Sequence, residues 1–106
     1  MKKRRGMVYR GYAAGRRVTV TSDRLGELTL DPGKSQRVRN HSPDGWDWGS
    51  GNPGSSQLAL AILLDYYGDV GFASAHYQTF KWSAVSKWPQ DDDWEITGVE
   101  IEEALR

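Results

Sequence analysis

The residues with the clearest capacity for chemistry run from Gly45 to Gln57: Gly-Trp-Asp-Trp-Gly-Ser-Gly-Asn-Pro-Gly-Ser-Ser-Gln. Gly49 and Gly54 have the glycine spacing of a phosphate loop, and Ser56 falls at its Ser/Thr position. Ser55 stands where that motif requires lysine, and no apolar strand leads into the loop. The acid that could serve as a second NTPase motif, Asp65, lies inside the same predicted helix. An NTPase is therefore rejected, but a simpler anion cradle survives. Gly49, Gly51 and Gly54 can take positive φ and let another molecule approach the backbone. With Gly54 as N-cap, Gln57 can reach back to the cap N–H. A helix starting near Ser55 then presents the amides of Ser55, Ser56 and Gln57, which carry partial positive charge. The alternative is that the glycines only let the chain turn tightly and seat Trp46 and Trp48 on the core.

Trp46 and Trp48 lie two apart, as suits one face of an extended segment. They can stack on a base, or they can be core, the commoner fate of tryptophan in a small domain. Lys81 follows Phe80 and either snorkels or supplies a cation beside the loop. His41 and His76, in a chain without cysteine, cannot form a structural zinc site. His41, Ser42 and Asp44 have the composition of a catalytic triad but lie too close in sequence to converge as one, and no Gly-x-Ser-x-Gly elbow is present. Asp91 to Asp93 lack the spaced ligands of a calcium loop. The expectation is a protein with no catalytic residues, no metal and no cofactor.

The formal net charge of zero conceals an asymmetry. Residues 1–40 hold eleven basic and three acidic side chains, a charge of +8, and residues 41–106 hold the reverse, −8. The two halves can attract each other within the fold. Alternatively Lys2, Lys3, Arg4, Arg5, Arg10, Arg16, Arg17, Arg37 and Arg39 can meet a nucleic acid. The basic N-terminus has no apolar stretch behind it and is not a signal peptide. The longest apolar run, Leu58 to Leu64, falls far short of the roughly 20 residues needed to span a bilayer. Absence of cysteine fits a cytoplasmic setting.

These residues need elements to hold them. Met7 to Tyr12 and Arg17 to Thr21 read as strands with a turn at Ala13 to Gly15, and Val18 and Val20 alternate with polar residues. Glu27 to Leu30 is a short third strand, and Asp31-Pro32-Gly33 is a turn. Lys34 to Ser42 is polar and expected to be exposed; if extended, Arg37 and Arg39 point the same way. The run Leu58 to Leu64 anchors a helix apolar on every side, which the rest must cover. Gly68 closes it, Asp69 caps a second helix reaching Trp82 or beyond, and Val70, Ala73, Tyr77, Phe80 and Ala84 give that helix an apolar face. The short connection implies an antiparallel helical hairpin. Trp88-Pro89 ends that element, Trp94 to Ile96 is a short strand, and Thr97 with Glu100 forms a capping box for a last helix, Gly98 to Leu105. The expected architecture is one α+β domain over residues 1–106, with 1–6 as a basic tail. A small N-terminal antiparallel sheet packs on a helical hairpin with a short C-terminal helix.

Several of these segments carry a resemblance. His41-Ser-Pro-Asp-Gly45, Trp46-Asp-Trp-Gly49, the glycine-rich loop, Gln57-Leu-Ala-Leu-Ala61, Tyr77-x-x-Phe80-Lys81, Trp94 and the closing helix are similar to a family of small uncharacterised domains of bacterial, archaeal, plasmid and phage genomes. The resemblance covers residues 41–106 well and the first 40 poorly. Ser50 stands where a tyrosine is common and Ser55 where a proline is common. The family implies a fold and an association with mobile elements, and no established activity. Two functions are consistent with the residues. One is a non-enzymatic module that binds a nucleotide, phosphate group or nucleic acid through the loop and the basic half. The other is a protein-interaction factor, a phage or plasmid accessory protein that inhibits or adapts a host protein, with the charge asymmetry steering docking.

Overall fold

The computed structural model describes residues 6–22 and 26–106. Three strands form first: β1 (Val8–Tyr12), β2 (Arg17–Ser22) and β3 (Gly26–Thr29). β1 and β2 are antiparallel with Tyr9 opposite Val20, and β3 runs antiparallel along the other edge of β2 with Leu28 opposite Val20. Alternation buries Tyr9, Val18 and Val20 on one face. The polar face is tied by its own side chains: Thr19 and Tyr12 both donate to a Glu27 carboxylate oxygen, at 2.8 and 3.0 Å.

The sheet is not wholly N-terminal. A fourth strand, β4 (Trp94–Thr97), arrives near the end of the chain and adds antiparallel to β1, giving the order β3-β2-β1-β4. Its inward residues Trp94 and Ile96 extend the apolar face.

Four helices complete the fold: α1 (Gly33–Val38), α2 (Pro53–Tyr67), α3 (Val70–Ser83) and α4 (Gly98–Ala104). α2 is the centre. Every residue from Gly54 to Leu64 is buried, as an all-apolar helix demands. Tyr9 donates to Asp65 and Tyr66 donates to Glu102, both at 2.6 Å, and these bonds tie α2 to the sheet and to α4. Gly68 ends α2 in the left-handed region at φ 64°, and the Asp69 side chain accepts from the Phe72 amide to start α3 antiparallel. Ala73, Tyr77, Phe80 and Ala84 are buried, whereas Val70 is 54% exposed because α3 begins at the turn, past the end of the helix it packs on. α4 opens with the expected Thr97–Glu100 capping box.

The segment from Lys34 to Ser42 departs from expectation. It is not extended: α1 occupies most of it, with Ser35 buried. Arg37 lies in the helix and Arg39 in the extended residue after it, so the two do not share a strand face. Local polarity hid a helix whose stability comes from docking on α2.

Candidate functional site

The two polar loops of the chain, residues 39–52 and the start of α2, are organised by one buried amide. Gln57 is fully buried. Its Oε1 accepts from the amides of His41 and Ser42, at 2.7 and 3.0 Å, and its Nε2 donates to Ser35 Oγ and the Arg39 carbonyl, at 2.9 and 3.1 Å. Gln57 therefore does not reach back to a cap at Gly54. The N-cap is Asn52, whose Oδ1 accepts from the Ser55 amide at 3.1 Å, with Pro53 as the first helical residue. Asn-Pro is itself a helix-start signal, and it sets the boundary two residues earlier than the glycine.

The glycines bring the chain against itself. A Cβ on Gly49, which has φ 78°, would lie 2.6 Å from Gln90 Cα; on Gly51, 2.4 Å from the Trp82 ring; on Gly54, 2.9 Å from Asp47. Ser55 and Ser56 are buried in the first turn, and the Ser55 hydroxyl has no partner. The helix start is thus capped by its own chain, with Asn52, Pro53 and Gly54 at the wall of a cleft and Ser55 and Ser56 buried behind them.

Trp46 and Trp48 are core. Trp48 is fully buried and packs edge-on to Trp94, with ring centroids 5.6 Å apart. Its indole N–H donates to the Asp92 carbonyl, and that of Trp46 donates to the Arg16 carbonyl, each at 3.2 Å. Trp48 offers no face for a base, which corrects the stacking role considered for it, while Trp46 is 9% exposed and lines two clefts: a wide indole with one N–H is better placed inside a small core when a carbonyl can take that proton.

Arg16 is the residue that sequence reasoning placed without foreseeing its surroundings. It is the one non-glycine among the described residues with positive φ, at 50°. Its guanidinium lies 4.2 Å over the Trp48 ring and pairs with Asp47 at 3.0 Å, while Nη1 is buried without an acceptor. Burial pushes the Asp47 carboxyl up, but hydrogen bonds from Asn52 and the Trp48 amide, with the Arg16 charge and Gln90, hold it below the usual range. Arg16, His41, Asp44, Asp47, Asn52 and Gly54 line one open cleft of about 550 Å³. Arg16 and Arg17 also line a neighbouring cleft of about 420 Å³ between β2, the end of β3 and residues 44–46.

His41 shares a 2.7 Å hydrogen bond with the Tyr77 hydroxyl. Burial lowers its pKa, and the charges of Arg39 and Lys81 lower it further. Lys81 is 7% exposed, with its ammonium 4.5 Å above the Trp82 ring. The hairpin thus brings the end of α3 beside the loop before α2.

The remaining basic residues do not gather. Arg10 pairs with Glu95 at 3.0 Å and donates to Thr21, and Arg17 stacks over Tyr12 at 4.6 Å, both on the outer sheet face. Arg37 lies by a separate hollow between β3, α1 and α2. Lys2, Lys3, Arg4 and Arg5 lie outside the described residues. Asp93 is engaged with the Ala13 amide at 2.7 Å. Among the described residues no three acids or histidines group as metal ligands, and no helix is long and apolar enough to cross a membrane.

A four-stranded sheet covered on one face by a helical hairpin, with a polar cleft at the start of the central helix, defines a small α+β domain. The chain belongs to the family of unknown function DUF6166, whose model matches residues 9–106. The likeness therefore extends through the β region that its local motifs covered poorly. Comparison with curated proteins and with solved structures gives no match.

Proposed function

We propose that the protein is a non-enzymatic binding module whose ligand carries a phosphate group, as a nucleotide or a nucleic-acid backbone does, and that the phosphate enters the cleft beside Arg16. The observation that supports this reading is the state of Arg16. Its backbone is held at φ 50°, its guanidinium is fixed on Trp48 and Asp47, and the residue lines the open cleft. A fixed guanidinium loses little side-chain entropy on binding and matches a phosphate in a two-pronged geometry. Asp47 opposes an incoming anion, but its carboxylate is also held by Asn52 and the Trp48 amide, so it can share Arg16 without being stranded. Chemical-shift titration with inorganic phosphate and nucleotides tests the reading. Saturable shifts at Arg16, Asn52 and Gly54, lost in Arg16→Gln, are expected; shifts scattered over the surface, or none at about tens of millimolar ligand, overturn it.

A second reading has its own support. Trp82 is 55% exposed at the end of α3 where it rests on Gly51, and an exposed indole suits a protein partner. Under it the protein is an accessory factor of a phage or plasmid that docks on a host protein in the cytoplasm. Loss of a co-purifying partner in Trp82→Ala, with no phosphate response in the wild type, favours this second reading.

A further inference from the structure

Lys81 is a cation without a counter-charge among the described residues. Its side chain lies on the buried face of α3, and the residue is 7% exposed. Among the described residues it has neither an ion pair nor a hydrogen bond; its partner is the Trp82 ring, 4.5 Å below the ammonium. A snorkelling lysine keeps its charge in open water. Lys81 buries its stem as such a lysine does and holds its ammonium over the Trp82 ring, with no carboxylate to meet it among the described residues. It is one turn after Tyr77 on the same helix face, and the Tyr77 hydroxyl bonds the His41 ring at 2.7 Å. The Lys81 and Arg39 charges both disfavour protonation of that ring. Trp82 walls the other side, pressed on Gly51 so closely that a Cβ there would lie 2.4 Å from the indole. The ammonium is not among the buried side-chain atoms sealed from solvent and left unsatisfied, so a small ligand can reach it.

We propose that Lys81, with the Tyr77 hydroxyl and the His41 ring beside it, forms an oxyanion site at the open end of the helical hairpin, accepting a phosphate or carboxylate group against Gly51 and Trp82. A cation with a buried stem and no partner gains from an anion more than a freely moving one does, because little side-chain freedom is lost. The inference rests on the reading above only in taking an anionic ligand. It does not depend on the Arg16 cleft, which Lys81 does not line, although His41 borders both.

The test uses the full chain at constant ionic strength, in wild-type, Lys81→Met and Arg16→Gln forms, titrated with inorganic phosphate, acetate and adenosine monophosphate. Saturable shifts at Gly51 and Tyr77, which lie outside the Arg16 cleft, are expected in the wild type and in Arg16→Gln. Lys81→Met, which keeps the apolar stem, weakens that response by about tenfold or more. Tighter binding of the nucleotide than of phosphate assigns the anion to a nucleotide, and equal binding assigns it to a free oxyanion; both support the site. An unchanged response in Lys81→Met overturns it, as does a wild type whose Gly51 and Tyr77 resonances stay still. Loss of the response in Arg16→Gln alone moves the anion to the Arg16 cleft and likewise overturns it. Should Lys81→Met not fold, the ammonium resonance of Lys81 in the wild type decides: no change with phosphate overturns the proposal.

Discussion

Gln57 ties three segments of the protein together. All four of its hydrogen-bonding positions are filled, two by amides of the 41–42 loop, one by Ser35 of α1 and one by the Arg39 carbonyl. Gln57→Leu keeps the volume and strands these groups inside the protein, so it is expected to lower stability by about 2–4 kcal/mol, measured by urea unfolding. A loss below about 0.5 kcal/mol would show that the loop holds itself without the amide. The sequence marks Gln57 as notable but cannot assign its partners, which lie 15 to 22 residues away along the chain. Arg16 is opaque for the same reason. Its type and charge are legible, while its seat on Trp48 and Asp47 depends on a strand, a turn and a loop meeting in space. The glycines of the loop are legible as necessary, and the structure gives the reason: Gln90, Trp82 and Asp47 press against them.

At the scale of elements, what could be read depends on where the stabilising contacts lie. α2 is legible because seven apolar residues in succession can only be buried, and the caps at Asp69 and Thr97 are legible because their partners lie three residues on. α1 is short and polar and is built by docking, so no local signal announces it. β4 is legible as a strand but not as the neighbour of β1, since strand order is a long-range property. The central helix also sets the stability of the fold. Leu60 and Ile62 are fully buried, and truncating either to alanine is expected to cost about 2–5 kcal/mol through the cavity left behind. Melting temperatures of Leu60→Ala and Ile62→Ala within about a degree of the wild type would mean the core relaxes around the loss.

At the scale of the whole molecule, from neutral pH down into acid, the shifted groups act in one direction. His41 is held neutral by burial and by the Arg39 and Lys81 charges. Asp47 and Glu27 are held ionised, Asp47 against its burial by Asn52, the Trp48 amide and Arg16, and Glu27 by hydrogen bonds from Thr19 and Tyr12. All three pKa values are lowered in the fold, so below each ordinary value the unfolded chain binds more protons and stability falls with pH. His41 acts first, below about pH 6.5, and the carboxyls follow below about pH 4.5. Urea midpoints are therefore expected to drop between about pH 7.5 and 5.5, and that step should shrink in His41→Gln. A midpoint that rises over this interval would reverse the sign assigned to His41.

Salt provides the last test at this scale, because the two oppositely charged halves of the chain meet in the fold. Arg10 of the basic half pairs with Glu95 of the acidic half, and Arg16 pairs with Asp47. Both pairs are partly exposed, and exposed pairs contribute about 0–1 kcal/mol, so added salt should change unfolding midpoints little. Nucleic-acid binding has a different signature. Each phosphate neutralised by an arginine or lysine steepens the fall of affinity with salt by about one unit of the logarithmic slope. A strand of DNA or RNA lying on the outer sheet face would have to draw Arg10 away from Glu95. Glu95→Gln is therefore expected to raise oligonucleotide affinity and to steepen its salt dependence by about one unit, read by fluorescence anisotropy at two salt concentrations. Binding that is indifferent to Glu95→Gln but falls in Arg16→Gln would move the contact from the sheet to the cleft. Absence of binding at low salt would confine the charge asymmetry to contacts within the fold.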